Sequence, residues 1–89
     1  MSDGKKPAAR VNLHPISASI WRNEKEGRAY YSVTIERSYK DEGGNWKYTS
    51  TFNAGDLLLL AKVADQAHTE IAKLQASDRQ AQQPDEQAA

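Results

Sequence analysis

Along the first half of the chain apolar and polar residues alternate with a period of two, and beyond residue 53 the period lengthens to that of a helix. In Ile16-Ser-Ala-Ser-Ile-Trp21 the side chains of Ile16, Ala18 and Ile20 point one way, and those of Ser17, Ser19 and Trp21 the other. Pro15 stands at the start of this strand, where a missing N–H does least harm. The polar run Asn23-Glu-Lys-Glu-Gly27 reads as a hairpin loop. Residues 28–40 give the clearest strand, in which Tyr31, Val33 and Ile35 alternate with Tyr30, Ser32, Thr34 and Glu36. Asp41-Glu-Gly-Gly-Asn45 is a turn, because paired glycines reach positive φ without a side-chain clash. Residues 46–52 form a third strand, with Trp46, Tyr48, Ser50 and Phe52 on one face and Lys47, Thr49 and Thr51 on the other.

Asn53-Ala-Gly-Asp56 is a helix start, with Asn53 at the cap and the Asp56 carboxylate in the first turn, where it complements the helix dipole. From there to about residue 75, Leu57, Leu60, Ala61, Ala64, Ala67, Ile71 and Leu74 fall on one stripe at helical spacing. Leu58, Leu59 and Val63 widen the apolar arc beyond what one helix on one small sheet needs. They either wrap the sheet edge or meet a second subunit, and on the second alternative these three are the dimer contact. The fold class is α+β: a three-stranded antiparallel meander, with room for a fourth strand, followed by one amphipathic helix. The expected boundaries are a disordered tail at residues 1–11, one domain at 12–75 and a second disordered tail at 76–89. Residues 1–10 and 76–89 lack large apolar side chains apart from Met1.

A core of this size holds only about 3–5 kcal/mol by itself. With no Cys and two His in 89 residues, disulfides and thiolate metal sites are excluded, and an all-protein zinc site is disfavoured. A partner subunit is the remaining support, so a homodimer is expected. No apolar run approaches a membrane span and no secretory h-region opens the chain, which makes the cytoplasm the default location. Net charge is zero, which argues against capture of polyanions by bulk attraction but leaves room for a basic face.

Candidate chemistry is sparse. His68 stands three residues after Asp65 on the helix without a third ligand, and a solvated helix face explains both. His14 has no evident partner. The carboxylate pairs Glu24/Glu26 and Asp41/Glu42 lie in turns, away from the dry cleft that acid–base catalysis needs. No enzyme, cofactor, metal or small-molecule substrate is expected.

One sheet face carries more. With Ile16, Ile20, Val33, Ile35, Tyr48 and Phe52 assigned to the helix side, the opposite face shows serine and threonine hydroxyls together with Trp21, Tyr30 and Lys47. Arg22 and Arg28 stand at the strand ends. Aromatic rings on a sheet stack unpaired bases, and cations and hydroxyls hold phosphates, so Trp21, Arg22, Arg28, Tyr30 and Lys47 are the candidate nucleic-acid residues. The alternative is a solvent-facing sheet on which Trp21 and Tyr30 form a cross-strand pair. Arg37, Tyr39 and Lys40 make a second basic-aromatic group near Trp46, for which the plain explanation is that Trp46 covers Tyr39.

The segments Ile16-Ser-Ala-Ser-Ile-Trp21, Tyr31-Ser-Val-Thr-Ile-Glu-Arg-Ser-Tyr-Lys-Asp41 and Leu60-Ala-Lys-Val-Ala-Asp-Gln-Ala-His68 resemble a family of short bacterial proteins that is largely uncharacterised. In architecture, a curved antiparallel sheet followed by one helix is similar to the positive-cofactor-four coactivators and the Whirly and Pur families. Those families build four strands per repeat, dimerise through their helices and bind single-stranded DNA or RNA across the sheet. The resemblance implies a homodimeric, non-enzymatic single-strand binder. The rival expectation is a protein-interaction module that uses the helix arc or an exposed strand edge.

Overall fold

The computed structural model of the chain describes residues 6–82. Four strands, β1 (Ala9–Leu13), β2 (Ile16–Lys25), β3 (Arg28–Lys40) and β4 (Trp46–Thr49), form one antiparallel sheet in the order β1-β2-β3-β4. A single 3-10 turn, Ala54–Asp56, leads into helix α1, Leu57–Gln82. The architecture is the expected α+β meander and helix, with a fourth strand added at the N-terminal edge.

That added strand corrects the domain boundary at residue 12. β1 pairs with β2 from Ala9↔Ile20 to Leu13↔Ile16, so the sheet begins inside the expected tail. Its inward residues are Ala9, Val11 and Leu13, and only Val11 is buried. A strand with one well-buried side chain carries little apolar signal of its own. The second boundary moves too, since α1 continues past residue 75 to Gln82. The outer parts of the expected tails, residues 1–5 and 83–89, lie outside the described residues.

The β2–β3 hairpin is tighter than its polar sequence implied. Asn23, Glu24 and Lys25 belong to β2, and Lys25 pairs directly with Arg28. The turn is Glu26-Gly27 alone, with φ of 55° and 80°. Positive φ at both central residues matches the right-handed strand twist and keeps a long ribbon in register. In the next turn Asp41 takes over the organising role. Its Oδ1 accepts hydrogen bonds from the backbone N–H groups of Gly43 and Asn45, both at 2.9 Å. Those bonds, that of Asn45 foremost, hold the Asp41 carboxyl below its ordinary range.

The core lies between α1 and β1–β2. Ile16, Ala18, Ile20, Val11, Val63 and Ala67 are buried, and Leu59, Leu60, Phe52, Ile71 and Leu74 pack against them. The sheet-facing stripe of α1 therefore differs from the expected one. Leu57, Ala61 and Ala64 are exposed, while Val63 has no accessible surface. Both stripes fit helical spacing; the observed one turns Leu59 and Val63 inward and leaves Leu57 outside with the two alanines. The helix entry is fixed by Asp56, whose Oδ2 accepts the Asn53 backbone N–H at 2.8 Å and lies 3.2 Å from Arg37 Nε.

Candidate nucleic-acid interface

Residues directly opposite one another in an antiparallel pair share a face, so the register assigns every strand side chain to one side of the sheet. Ile16↔Arg37, Ala18↔Ile35, Ile20↔Val33 and Arg22↔Tyr31 lie on the helix side. Arg10, Asn12, Ser17, Ser19, Trp21, Asn23, Tyr30, Ser32, Thr34, Glu36, Ser38 and Lys40 lie on the other side. α1 covers one face only, and the smallest dimension of the molecule, 18 Å, is that of one sheet and one helix. The second face is open.

The register of β4 overturns part of the expected assignment. Arg37↔Thr49 and Tyr39↔Lys47 place Thr49 and Lys47 on the helix side, while Ser38↔Tyr48 and Lys40↔Trp46 place Tyr48 and Trp46 on the open face. A one-residue change of register exchanges the faces of a strand, and here the turn anchored on Asp41 decides it. Lys47 is therefore not part of the open face; its ammonium lies 3.5 Å from Asp41 Oδ2. Phe52 still reaches the core, because β4 ends at Thr49 and the chain bends at Ser50.

Arg22 is a second correction. It belongs to the helix side, where Nη1 meets Glu24 at 2.6 Å and Nη2 meets Asp78 at 3.3 Å. Tyr31 donates its hydroxyl hydrogen to the same Asp78 carboxylate. This network raises the Arg22 pKa, chiefly through Glu24 and then Asp78, and lowers that of Asp78, chiefly through the Tyr31 hydroxyl and then Arg22. Burial pushes the Tyr31 phenol up, and its bond to Asp78 adds to the effect. Arg22 is thus committed to holding the helix end.

Trp21, Tyr30 and Arg28 are brought together on the open face. Trp21 is half-buried and donates its indole N–H to Thr34 Oγ1 at 3.0 Å. The indole N–H is thereby aimed at its diagonal neighbour, two residues beyond its cross-strand partner Ser32 and on the side away from Tyr30. Tyr30 is 52% exposed. Arg28 lies opposite Lys25 at the hairpin end, and neither has an ion-pair partner among the described residues.

At the opposite end stand residues that the sequence assigned elsewhere. Trp46 and Tyr48 are 56% and 66% exposed. Lys40 Nζ sits 5.4 Å from the centroid of the Trp46 ring, and His14 meets that ring edge-on at 5.9 Å. His14 therefore has a partner, and Trp46 does not cover Tyr39, which is on the other side of the sheet. Across the open face the strands carry one acid, Glu36, opposite Ser17.

The expected dimer contacts are divided. Leu58 is 88% exposed and Leu57 55%, whereas Leu59 packs against the core and Val63 is fully buried. A side chain with no accessible surface has none to offer a second subunit, so Val63 leaves that group. His68 and Asp65 are exposed on the outer helix face, and no cluster of three metal-ligating side chains occurs among the described residues. No described helix is long and apolar enough to cross a membrane.

Comparison with known proteins returned no family model, no curated protein and no solved structure that matches the chain.

Proposed function

We propose that this protein binds single-stranded nucleic acid on the open face of its sheet, as a homodimer and without catalysing a reaction. The observation that carries the reading is the open face itself, which exposes Tyr30 next to Trp21 at one end and Trp46 and Tyr48 at the other, with serine and threonine hydroxyls between. Buried aromatic area is a large source of stability in a small domain, so three exposed rings on one uncovered face favour a ligand with flat π surfaces. Unpaired bases have such surfaces, and stacking on an aromatic side chain contributes about 1–3 kcal/mol per base. Arg10, Arg28, Lys25 and Lys40 on the same face make no ion pair among the described residues and are free to meet phosphates. A duplex hides its bases, so it offers this face nothing to stack.

The dimer part rests on the helix side. α1 lies chiefly across β1 and β2 and touches β3 less. Tyr31, Val33 and Ile35 on β3 are left half-buried, and Leu57 and Leu58 are exposed. The same apolar surface suits a different protein as partner, and this is the second reading.

The test is fluorescence anisotropy of a labelled single strand and a matched duplex at low and at physiological salt. The expected result is binding of the single strand alone, weakening steeply with salt, and lost in Trp21→Ala/Tyr30→Ala while the circular dichroism spectrum is kept. Absence of single-strand binding at low salt overturns the reading. Light scattering of the wild type and Leu58→Glu tests the dimer, which the variant should split; a monomeric wild type at 100 μM, taken as roughly the upper end of useful self-association (about 5.5 kcal/mol), removes that part.

A further inference from the structure

The aromatic residues of the open face fall into two groups at its opposite ends. At the hairpin end are Trp21, Tyr30 and Arg28; at the other end are Trp46, Tyr48, Lys40 and His14. Beside the second group the surface dips into a shallow cavity of about 270 Å³, lined by Arg10, Asn12, His14, Ser17, Ser38 and Tyr48. Besides Pro15 and Ile16, the lining contains an unpaired cation, an imidazole, an amide, two hydroxyls and an exposed phenol ring, and no acid.

That set is complementary to one nucleotide. Tyr48 supplies a ring face for a base, Asn12 and the hydroxyls supply donors and acceptors for base edges, and Arg10 supplies a guanidinium for the phosphate. Neither of the cavity's charged or aromatic residues belongs to the hairpin-end group, so it is a separate point of attachment. Between the two groups the face offers Ser19, Thr34 and Glu36 and no ring. Stacking is therefore available at both ends and missing from the middle.

We infer that the cavity lined by Arg10, Asn12, His14, Ser17, Ser38 and Tyr48 is a second nucleotide subsite, and that the ligand is a stretch of single-stranded nucleic acid long enough to reach it from Trp21 and Tyr30. This rests on the single-strand reading of the open face. The span sets the length. Ser38, the partner of Tyr48, lies eight residues beyond Tyr30 on β3, which is about 26 Å at roughly 3.3 Å per residue. A stacked strand advances about 3.4 Å per nucleotide and an extended one about twice that. Roughly five to nine nucleotides bridge the groups, in the lower half of the range that small single-strand-binding β-domains occupy, about 4–16.

The experiment is a length series of 5′-fluorescein-labelled mixed-sequence DNA strands, from three to ten nucleotides, titrated at low salt with the full chain and with Arg10→Ala/Tyr48→Ala. Both substituted residues are exposed, and circular dichroism of the variant checks that it folds. The expected result is at least a tenfold rise in affinity between four and nine nucleotides, beyond the gain from counting registers, followed by a plateau. In the variant the rise should vanish while trinucleotide binding stays as in the wild type. A shallow length dependence that the variant shares overturns the second subsite and leaves the single-strand reading standing. Absence of binding at every length removes that reading and this inference together.

Discussion

The Tyr31 hydroxyl donates its hydrogen to the carboxylate of Asp78, forty-seven positions later in the chain, and so ties the hairpin end of β3 to the end of the helix. Arg22, the cross-strand neighbour of Tyr31, reaches the same carboxylate, and the three groups form one latch. Asp78 stands four residues beyond Leu74, one helical turn along the buried stripe, so the rotation that buries Val63 also delivers Asp78 to its partners.

This latch makes stability fall at both ends of the pH scale. The Asp78 carboxyl is depressed in the fold, so its contribution is complete above its unfolded value and is lost as pH drops below about 4 toward the folded value. The Tyr31 phenol is raised, so the folded state holds its proton more tightly, and stability is lost as pH climbs above about 10. Urea midpoints measured across pH should show a plateau between these limits. Asp78→Asn should shrink the acid limb, with Asp41 supplying what remains, and Tyr31→Phe should remove the alkaline one. Limbs unchanged in both variants would mean that the latch does not hold in solution.

How far the fold could be read in advance follows from how locally each feature is encoded. β2 and β3 alternate over many residues, and the Gly-rich turn and the Asn53–Asp56 start are short motifs whose chemistry is complete in themselves. β1 has a single buried residue, Val11, and exists because β2 offers it a paired edge. The sheet face of Lys47, Trp46 and Tyr48 depends on a register that Asp41 sets through hydrogen bonds, and alternation within β4 is the same whichever face is inward. The role of Arg22 depended on Asp78, a residue in what composition alone reads as a polar tail. The shared face of Trp21 and Tyr30 was legible because alternation runs long in β2 and β3; the face of Trp46 and Tyr48 and the place of Arg10 needed the folded sheet.

The core is small enough that one large truncation should unfold it. Ile20 has no accessible surface and lies beside Val63 and Ala18 in the same cluster. Ile20→Ala should cost about 2–5 kcal/mol, against roughly 3–5 kcal/mol that a core of this size supplies. Loss of the cooperative thermal transition, read by circular dichroism, is the expected outcome. Retention of a wild-type transition would show that the cluster around Ile20 is not what holds the domain.

The two arginines assigned to the interface from sequence should now separate. Arg22 is held by Glu24 and Asp78 on the helix side, so Arg22→Ala should lower the thermal midpoint and leave the salt dependence of single-strand binding unchanged. Arg28 has no ion pair and stands on the open face, so Arg28→Ala should leave the midpoint unchanged. It should reduce the slope of log affinity against log salt by about 0.7, the value for one phosphate contact on a single strand. Titrations at several salt concentrations decide it, and the reverse pattern would return Arg22 to the interface and take Arg28 from it.

Glu36 provides the sharpest check on what the open face binds. It stands between the two aromatic groups, opposite Ser17, and makes no ion pair among the described residues. A polyanion lying across this face brings phosphates near an uncompensated carboxylate, at a cost approaching roughly 1 kcal/mol for unit charges about 4 Å apart in water. Glu36→Gln keeps the shape and removes the charge. It should strengthen single-strand binding by up to about fivefold at low salt, the equivalent of that roughly 1 kcal/mol, and the gain should fade as salt screens the pair. An acidic or neutral protein partner on the helix side would be indifferent to the change. If the substitution weakens binding, Glu36 is a contact and not an obstacle: a carboxylate there accepts hydrogen bonds from base amino groups, and the loss should then be greater for cytosine-containing strands than for oligo-dT.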